Sequence, residues 1–357
     1  MSTPAPLPQP TPWRRVVTMG VLVAALVSLV VIAFTWPTRT TEARDIPIAI
    51  AGPSAQTSQV SAALTKGNDT FDIQRADDRS DAVHLIKHRD VYGAVILSAS
   101  GAPEVLTAPA SSPAVAQVMN TVAEKLQQQT AAAAAQAAGT TALTPAVKVT
   151  DVVPLSDDDT SGGGLVAAAF PLVMGGMLGG IFLVFLVHGT LRRLTGLIVY
   201  AIAGGLAIPG ILQGWFGILQ GPYLENAAAF ALALSSIAGT ILGASTLIGR
   251  IGVSTGPVLF LLFANPISSA ATPTSFLPAP WGTIGQWFPP GAGTRLIRDI
   301  SYFPEVNSTL QWLILGGWTA FGLALMGTGA FVHARRSRRH HGEHVARVEH
   351  APDPLTV

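Results

Sequence analysis

The sequence predicts an α-helical polytopic membrane protein with six transmembrane helices and a small α+β extracytoplasmic domain between helices 1 and 2. Six apolar runs hold no Lys, Arg, Asp or Glu, and each has the roughly twenty residues that span the hydrocarbon core of a bilayer as a helix. The chain is 49% hydrophobic and only 11% charged, which is unusual for a soluble domain. Residues 40–160, in contrast, are charged and contain short alternating segments.

The first apolar run, Val16–Phe34, follows a proline-rich tail at residues 1–12 that we predict to be disordered and cytoplasmic. A cleaved signal peptide is the alternative. Its apolar region would be about 7–15 residues long, with a cleavage site close behind. This run is longer, and the nearest A-x-A pattern, Ala49–Ala51, lies well beyond its end. We therefore predict an uncleaved transmembrane helix at residues 13–36.

Residues 40–160 are predicted to form the α+β domain, with a βαβαβ core. The short apolar runs Ile46–Ile50 and Gly93–Ser98 are typical of buried strands. Ser54 is a candidate helix cap, and the pair Ser112–Pro113 is typical of a helix start. Helices are therefore expected to alternate with strands along this part of the chain.

Two acidic clusters are candidate metal sites, and each has a simpler explanation. Asp77, Asp78 and Asp81 open a predicted helix, where carboxylates cap backbone N–H groups and favour the helix dipole. Asp157–Asp159 precede a glycine-rich stretch and are interpreted as a solvated linker into the membrane. The chain has no cysteine, which excludes thiolate ligands and disulfides. We predict no metal and no cofactor.

The other five apolar runs form the predicted transmembrane domain, residues 164–332. Small residues at G-x-x-x-G spacing let the backbones of neighbouring helices approach closely. The runs are Gly164–Val187, Leu197–Leu219, Ala227–Gly249, Ile251–Ala270 and Leu310–Val332. The candidate packing glycines are Gly175, Gly176, Gly179, Gly180, Gly239 and Gly243.

Arginines set the predicted orientation, because short cytoplasmic loops are enriched in Lys and Arg. With the N-terminus inside, both termini are cytoplasmic, residues 40–160 lie outside, and residues 333–357 form a basic cytoplasmic tail. The basic residues follow this topology and form no separate patch, so we expect a multi-pass plasma-membrane protein that contacts the lipid bilayer and no nucleic acid. The arginines of the inside breaks are Arg14, Arg15, Arg192, Arg193 and Arg250.

No G-x-x-x-x-G-K-[ST] motif occurs, and every lysine falls within residues 40–160. The chain therefore cannot hydrolyse a nucleotide through a P-loop. Coupling to an ion gradient is also disfavoured, because the predicted spans hold no charged residue. No nucleophile–base pair can be identified from the spacing of residues, and we predict that the chain is not an enzyme.

Residues 273–303 form the predicted outer segment between the last two spans, and its re-entrant character is implied by the family resemblance that follows. The candidate residues here are Trp281, Trp287, Arg295, Arg298 and Asp299. The two tryptophans belong at the level of the lipid headgroups. The arginines and the aspartate are expected to form an ion pair at the outer mouth, or an arginine meets a lipid phosphate. A plain interfacial anchor is the alternative.

This proline-bounded aromatic stretch, followed by an arginine-bearing helix and a final span, resembles the outer re-entrant segment of ABC-2 type transporter permeases. The layout of one helix, an external domain and five helices is similar to the Pip/YhgE-like (phage-infection-protein-like) branch. The resemblance implies that a separate ATP-binding subunit contacts the break between the second and third helices, at His188, Arg192 and Arg193. That loop is short for a coupling helix, and a purely topological role of the arginines is the alternative.

The resemblance further implies the membrane subunit of an exporter, working as a homodimer or heterodimer and moving a lipid-like or hydrophobic cargo outward. The alternative is a non-transport bacterial envelope protein that serves as an anchor or receptor. In that case residues 40–160 bind a partner, a polymer or a phage component. The presence of an ATPase partner distinguishes the two functions.

Overall fold

The computed structural model of the protein describes residues 11–66, 69–98, 102–138 and 146–349. Residues 1–10, which are part of the tail predicted to be disordered, and residues 350–357 of the basic tail lie outside the described residues. The helices are α1 Trp13–Thr40, α2 Ser54–Thr65, α3 Arg79–Lys87, α4 Pro113–Ala138, α5 Gly163–Leu186, α6 Thr190–Leu212, α7 Tyr223–Ile248, α8 Trp281–Gly285, α9 Pro289–Tyr302 and α10 Thr309–Glu349. The strands are β1 Ile46–Ala51, β2 Phe71–Arg75, β3 Gly93–Ile96, β4 Glu104–Thr107 and β5 Lys148–Asp151.

The five strands form one mixed sheet in the order β2-β1-β3-β4-β5, and we call residues 46–151 the sheet region. All neighbouring strands are parallel except β3 and β4, which are antiparallel. The chain order β1-α2-β2-α3-β3 is the βαβαβ order that the sequence predicts. Alternate residues of β1 enter opposite cores: Ile48 packs with Met119 of α4, and Ala49 packs with Ile86 of α3. Helices therefore cover both faces of the sheet.

Helix α1 is apolar along its length and none of its candidate spanning window is buried by the rest of the chain. It continues past the predicted end at residue 36 and includes Pro37. Proline lacks an N–H, but its carbonyl still accepts, and the N–H of Thr41 donates to it at 2.7 Å. The helix therefore ends a turn after the proline instead of before it.

Five helices in the described part of the chain are long and apolar enough to cross a membrane. The remaining predicted span, Ile251–Ala270, departs from this pattern. It folds as a 3₁₀ helix, Gly249–Ser254, followed by a nine-residue π-helix, Gly256–Ala264. Gly249 has a positive φ of 72°, which ends α7, and the N–H of Asn265 donates to the carbonyl of Phe260 in the i→i−5 pattern. The spans are Trp13–Pro37, Gly163–Leu186, Thr190–Leu212, Tyr223–Ser254 and Thr309–Arg335.

Helix α7 lies at the centre of a helical bundle that it forms with α5, α6 and α10, and 78% of its spanning window is buried. On α5, a Cβ added at Gly176 would come within 2.8 Å of Ile237, and one at Gly180 within 3.0 Å of the Cα of Ala238. The helices α5 and α7 therefore meet at two of the predicted packing glycines, where the missing side chains permit close approach.

The remaining predicted glycines have different neighbours. A Cβ at Gly179 would overlap the ring of Tyr200, whose hydroxyl donates to the carbonyl of Gly175 at 2.6 Å. Gly239 and Gly243 lie where α7 meets α10: a Cβ at Gly243 would overlap the carbonyl of Gly322, and a Cβ at Gly322 would overlap the backbone of Gly239. Gly322 was not singled out in the sequence, because it has no G-x-x-x-G partner towards its N-terminal side.

Replacing Gly322 by Ala is expected to lower the free energy of unfolding by about 1–3 kcal/mol, because the new Cβ would overlap the backbone of Gly239. Gly316, on the same helix, is the matched control, since a Cβ there meets nothing within 4 Å. Gly316→Ala should change the stability by less than about 0.5 kcal/mol or raise it. Unfolding of the purified protein in mixed micelles measures both, and equal effects would contradict the assigned helix contact.

Lowering the pH is expected to weaken the sheet region through Glu104. Arg79 Nε donates to its carboxylate at 2.8 Å and lowers the pKa of Glu104 from 4.5 to about 2. A carboxylate with a lowered folded-state pKa stabilises the fold above pH 4.5, and this contribution is lost as the pH falls towards 2. Arg79 is half-exposed, so water screens the pair and the contribution is about 1–2 kcal/mol. In unfolding measurements across this pH range, Glu104→Gln should flatten the decline, whereas Glu124→Gln, at an exposed site on α4, should leave it unchanged.

Candidate functional site

The predicted outer segment, residues 273–303, lies between the sheet region and the helical bundle. Its main element, α9, has nearly all of its 14 residues buried. Leu296 and Ile300 of α9 pack with Phe230 of α7 in the core of the bundle. Phe303, directly after α9, is buried in the core between the sheet and α3, and Phe276 is buried in the core on the opposite face of the sheet. One segment thus joins both cores of the sheet region to the bundle.

An ion pair crosses the same contact. Arg89 Nη1 donates to Asp299 Oδ1, and the side chain of Asp299 is completely buried. Arg89 follows α3 with a positive φ of 61°, and its guanidinium lies 5.1 Å from the centre of the Phe303 ring. Because a buried carboxylate without a partner is costly, this contact holds Arg89 and α9 together.

The predicted ion pair among Arg295, Arg298 and Asp299 needs a correction. Arg295 Nε lies 3.8 Å from Asp299 Oδ2, but Arg298 pairs with no described carboxylate. The Arg298 guanidinium is buried and its Nη2 donates to the carbonyl of Ala270 at 2.7 Å. The main partner of Asp299 is Arg89, which sequence reasoning missed. The two residues are far apart in the chain, and no local spacing marks Arg89 as a partner.

The two tryptophans have different surroundings. Trp281 packs edge-on against Trp36 of α1 and against Phe263 of the π-helix, with ring centres 6.1 Å apart in each pair. Trp287 is 57% exposed, and its backbone carbonyl accepts from the indole N–H of Trp318 at 2.8 Å. Trp281 therefore connects α1 to the outer segment. Trp287, in contrast, is mostly exposed.

Of the candidate coupling residues, His188 lies in the short turn between α5 and α6, and Arg192 and Arg193 lie in the first turn of α6. Arg193 donates from Nε to the carbonyl of Val187 and from Nη2 to the carbonyl of Val184, both at 2.9 Å. It thereby satisfies acceptors at the C-terminal end of α5, which carries a partial negative charge. His188 and Arg192 are exposed. Arg193 therefore stabilises the turn after α5, whereas Arg192 is exposed at the surface.

Both acidic clusters cap helices. Asp78 Oδ1 accepts from the N–H of Asp81 at 2.8 Å at the start of α3. Asp159 is buried, and its carboxylate accepts from the N–H groups of Gly164 and Leu165 at 3.0 Å at the start of α5. The interpretation of residues 157–159 as a solvated linker is therefore wrong for Asp159. Among the described residues, no group of three His, Cys, Asp or Glu side chains is placed to hold a metal ion.

Removing the buried carboxylate is expected to destabilise the contact between the sheet region and the bundle. Asp299→Asn should cost about 3–5 kcal/mol, because Arg89 and Arg295 lose their counter-charge. In a second set, the double variant Arg89→Met/Asp299→Leu should be more stable than the sum of the single changes Arg89→Met and Asp299→Leu predicts, by about 0.5–3 kcal/mol, when all are compared with the wild type. Chemical unfolding of the four proteins measures this coupling. Glu305→Gln, in an exposed pair with Lys87, is the control and should have little effect. Strict additivity would contradict the pairing.

Comparison with known protein families gives a match over part of the chain. Residues 14–174 match the model described as ABC-2 family transporter protein, which extends from α1 through the sheet region into α5. No curated protein and no solved structure shows a significant match. Together with the five apolar helices, the family match supports a multi-pass membrane protein, and it supports the ABC-2 permease superfamily as the group that this chain resembles.

Proposed function

We propose that the chain is the permease subunit of an ABC-2 type exporter, powered by a separate ATP-binding subunit. The family match over residues 14–174 carries this proposal. The composition of the chain agrees with it, since the sequence has apolar helices for a translocation pathway and no P-loop for hydrolysis. We further propose that it resembles most closely the Pip/YhgE-like branch, in which one helix precedes an external domain and the remaining helices follow it.

In the proposed orientation both termini are cytoplasmic, and the sheet region with α9 lies outside the plasma membrane. The arginine distribution supports this orientation. The short π-helix Gly256–Ala264 then enters the membrane from the cytoplasmic side, and the chain returns outward towards α9. An irregular backbone is tolerated within a membrane where protein surrounds it. Phe260 and Ala264, both fully buried, support such an environment here.

The turn between α5 and α6, together with the first turn of α6, is the proposed contact with the ATP-binding subunit. Its exposed residues, His188 and Arg192, are available to a partner, whereas Arg193 is engaged by carbonyl groups of α5. A test of coupling should therefore change Arg192 alone, because a change at Arg193 would also release the end of α5.

A hydrophobic or lipid-like cargo is supported by an apolar groove next to α10. The groove has a volume of 450 Å³, and its lining includes Trp287, Leu313, Trp318 and Phe321. This volume lies within the range typical of small-molecule sites. We propose that the cargo moves outward along such surfaces in a homodimer or heterodimer.

A non-transport envelope anchor or receptor is the second candidate. It is favoured by the way the sheet region is fixed to the bundle, with Phe276 in one core, Phe303 in the other and Arg89 paired with buried Asp299. An external region that is held in place by buried contacts suits the capture of a partner or polymer.

Purification in a mild detergent from the native membrane, with mass spectrometry of the co-purifying proteins, tests the proposal. We expect a P-loop ATPase at near one-to-one ratio with this chain, and we expect Arg192→Ala to reduce that ratio several-fold. The control is Arg14→Ala, since Arg14 is an exposed arginine at the start of α1 and far from the turn in sequence. Co-purification of envelope proteins alone would overturn the exporter and favour the anchor.

A further inference from the structure

A polar cavity lies between the sheet region and the segment 268–298, and nothing derived above assigns a role to it. Its volume is 220 Å³, below the roughly 300–1,000 Å³ of sites for drug-sized ligands. The sheet region contributes Arg89 and Tyr92, and the segment contributes Arg295 and Arg298. The cavity is therefore of a size to hold a headgroup or small ion.

The charge at this cavity is strongly positive. Three guanidinium groups line it, and none of its described lining residues is acidic. The nearby carboxylate of Asp299 neutralises one charge through its pairs with Arg89 and Arg295. Three positive charges against one negative charge leave a formal excess of two. Arg298, which is 6% exposed, pairs with no described carboxylate.

Three polar atoms at the cavity have no hydrogen-bond partner among the described residues. They are Arg298 Nε, Ser269 Oγ and Ser275 Oγ, and all three atoms are buried. A buried donor without a partner costs about 1–3 kcal/mol, and more when it is charged. Such unpaired groups are rare in native proteins, and three of them belong to residues that line one cavity, which points to a common acceptor.

We propose that this cavity binds a phosphate-type anion, held by Arg298, Arg295 and the hydroxyls of Ser269 and Ser275. Guanidinium groups bind phosphate oxygens with paired, charge-assisted hydrogen bonds, and hydroxyls donate to the remaining oxygens. The phosphate belongs to a free anion or to the headgroup of a phospholipid. This inference goes beyond the proposed function, because an exporter and an anchor can each carry such a site.

The site is built on a rigid frame. The backbone is drawn together by Gly285 and Gly291, where an added Cβ would overlap the carbonyls of Ile267 and Gly285. The side-chain amide of Gln286 donates to the backbone carbonyl of Ser268 at 2.8 Å, which holds the loop segment that carries Ser269. The donors are therefore held in position before a ligand arrives, which reduces the entropy lost on binding.

Calorimetric titration of the detergent-purified full chain with inorganic phosphate, in chloride buffer of constant ionic strength, tests the site. Arg298→Gln should weaken binding about 10-fold to 100-fold, and Ser275→Ala about threefold to 10-fold. Ser275→Ala removes an unpaired hydroxyl and breaks no described hydrogen bond, so it reports on the site even if Arg298→Gln does not fold. Ser245→Ala, which removes another unpaired buried hydroxyl in α7, is the matched control and should bind phosphate normally.

Native mass spectrometry of the same variants with phosphatidic acid and with phosphatidylcholine identifies the source of the phosphate. Retention of phosphatidic acid that Ser275→Ala and Arg298→Gln reduce, without calorimetric binding of free phosphate, assigns the site to a lipid headgroup. Calorimetric binding of free phosphate with the expected variant effects assigns it to a soluble anion. The proposal is overturned if neither probe binds the wild-type protein. It is also overturned if the probe that binds the wild-type protein binds the Ser275→Ala and Ser245→Ala variants equally well.

Discussion

The buried carboxylate of Asp299 constrains the arrangement of the whole chain. Its desolvation must be offset, and the offset comes mainly from Arg89, which belongs to the sheet region. Asp299 lies on α9, whose apolar side chains pack into the bundle. The sheet region therefore cannot separate from the bundle without exposing Phe303 and leaving the paired charges without partners. The Arg89–Asp299 pair and the buried side chains of Phe276 and Phe303 thereby help to specify how the two parts of the protein sit together.

The bundle itself depends on close approach of helices. Apolar helices in a bilayer gain no hydrophobic free energy when contacts with lipid are replaced by contacts with another helix. They therefore associate through van der Waals contact and hydrogen bonds. In this protein Gly176, Gly180 and Gly322 let α5 and α10 approach α7. A buried α7 then gives α9 a fixed surface to pack on, through Phe230 and Leu234. Helix packing and the docking of the sheet region are therefore parts of one continuous structure.

The sequence predicts local features of this structure well, because they depend on local periodicity. The apolar runs, the βαβαβ order and the capping role of Asp78 all follow from spacing along the chain. The prediction fails where a contact spans many residues or where backbone geometry competes with hydropathy. Arg89 is the first case, and the span at 251–270 is the second, because its glycines and prolines weaken a continuous α-helix and the segment folds as a 3₁₀ helix and a π-helix.

The same distinction applies to the candidate site. Composition identified the segment at residues 273–303, but not which of its arginines is paired. Arg295 and Arg298 are one turn apart on α9, yet only Arg295 reaches Asp299, while Arg298 is held by the carbonyl of Ala270. A buried arginine with an unpaired Nε, at a cavity that is also lined by two serines with unpaired hydroxyls, is costly for stability alone. Stability would be better served by an apolar side chain at that position, so the charge at Arg298 is best explained by what it binds.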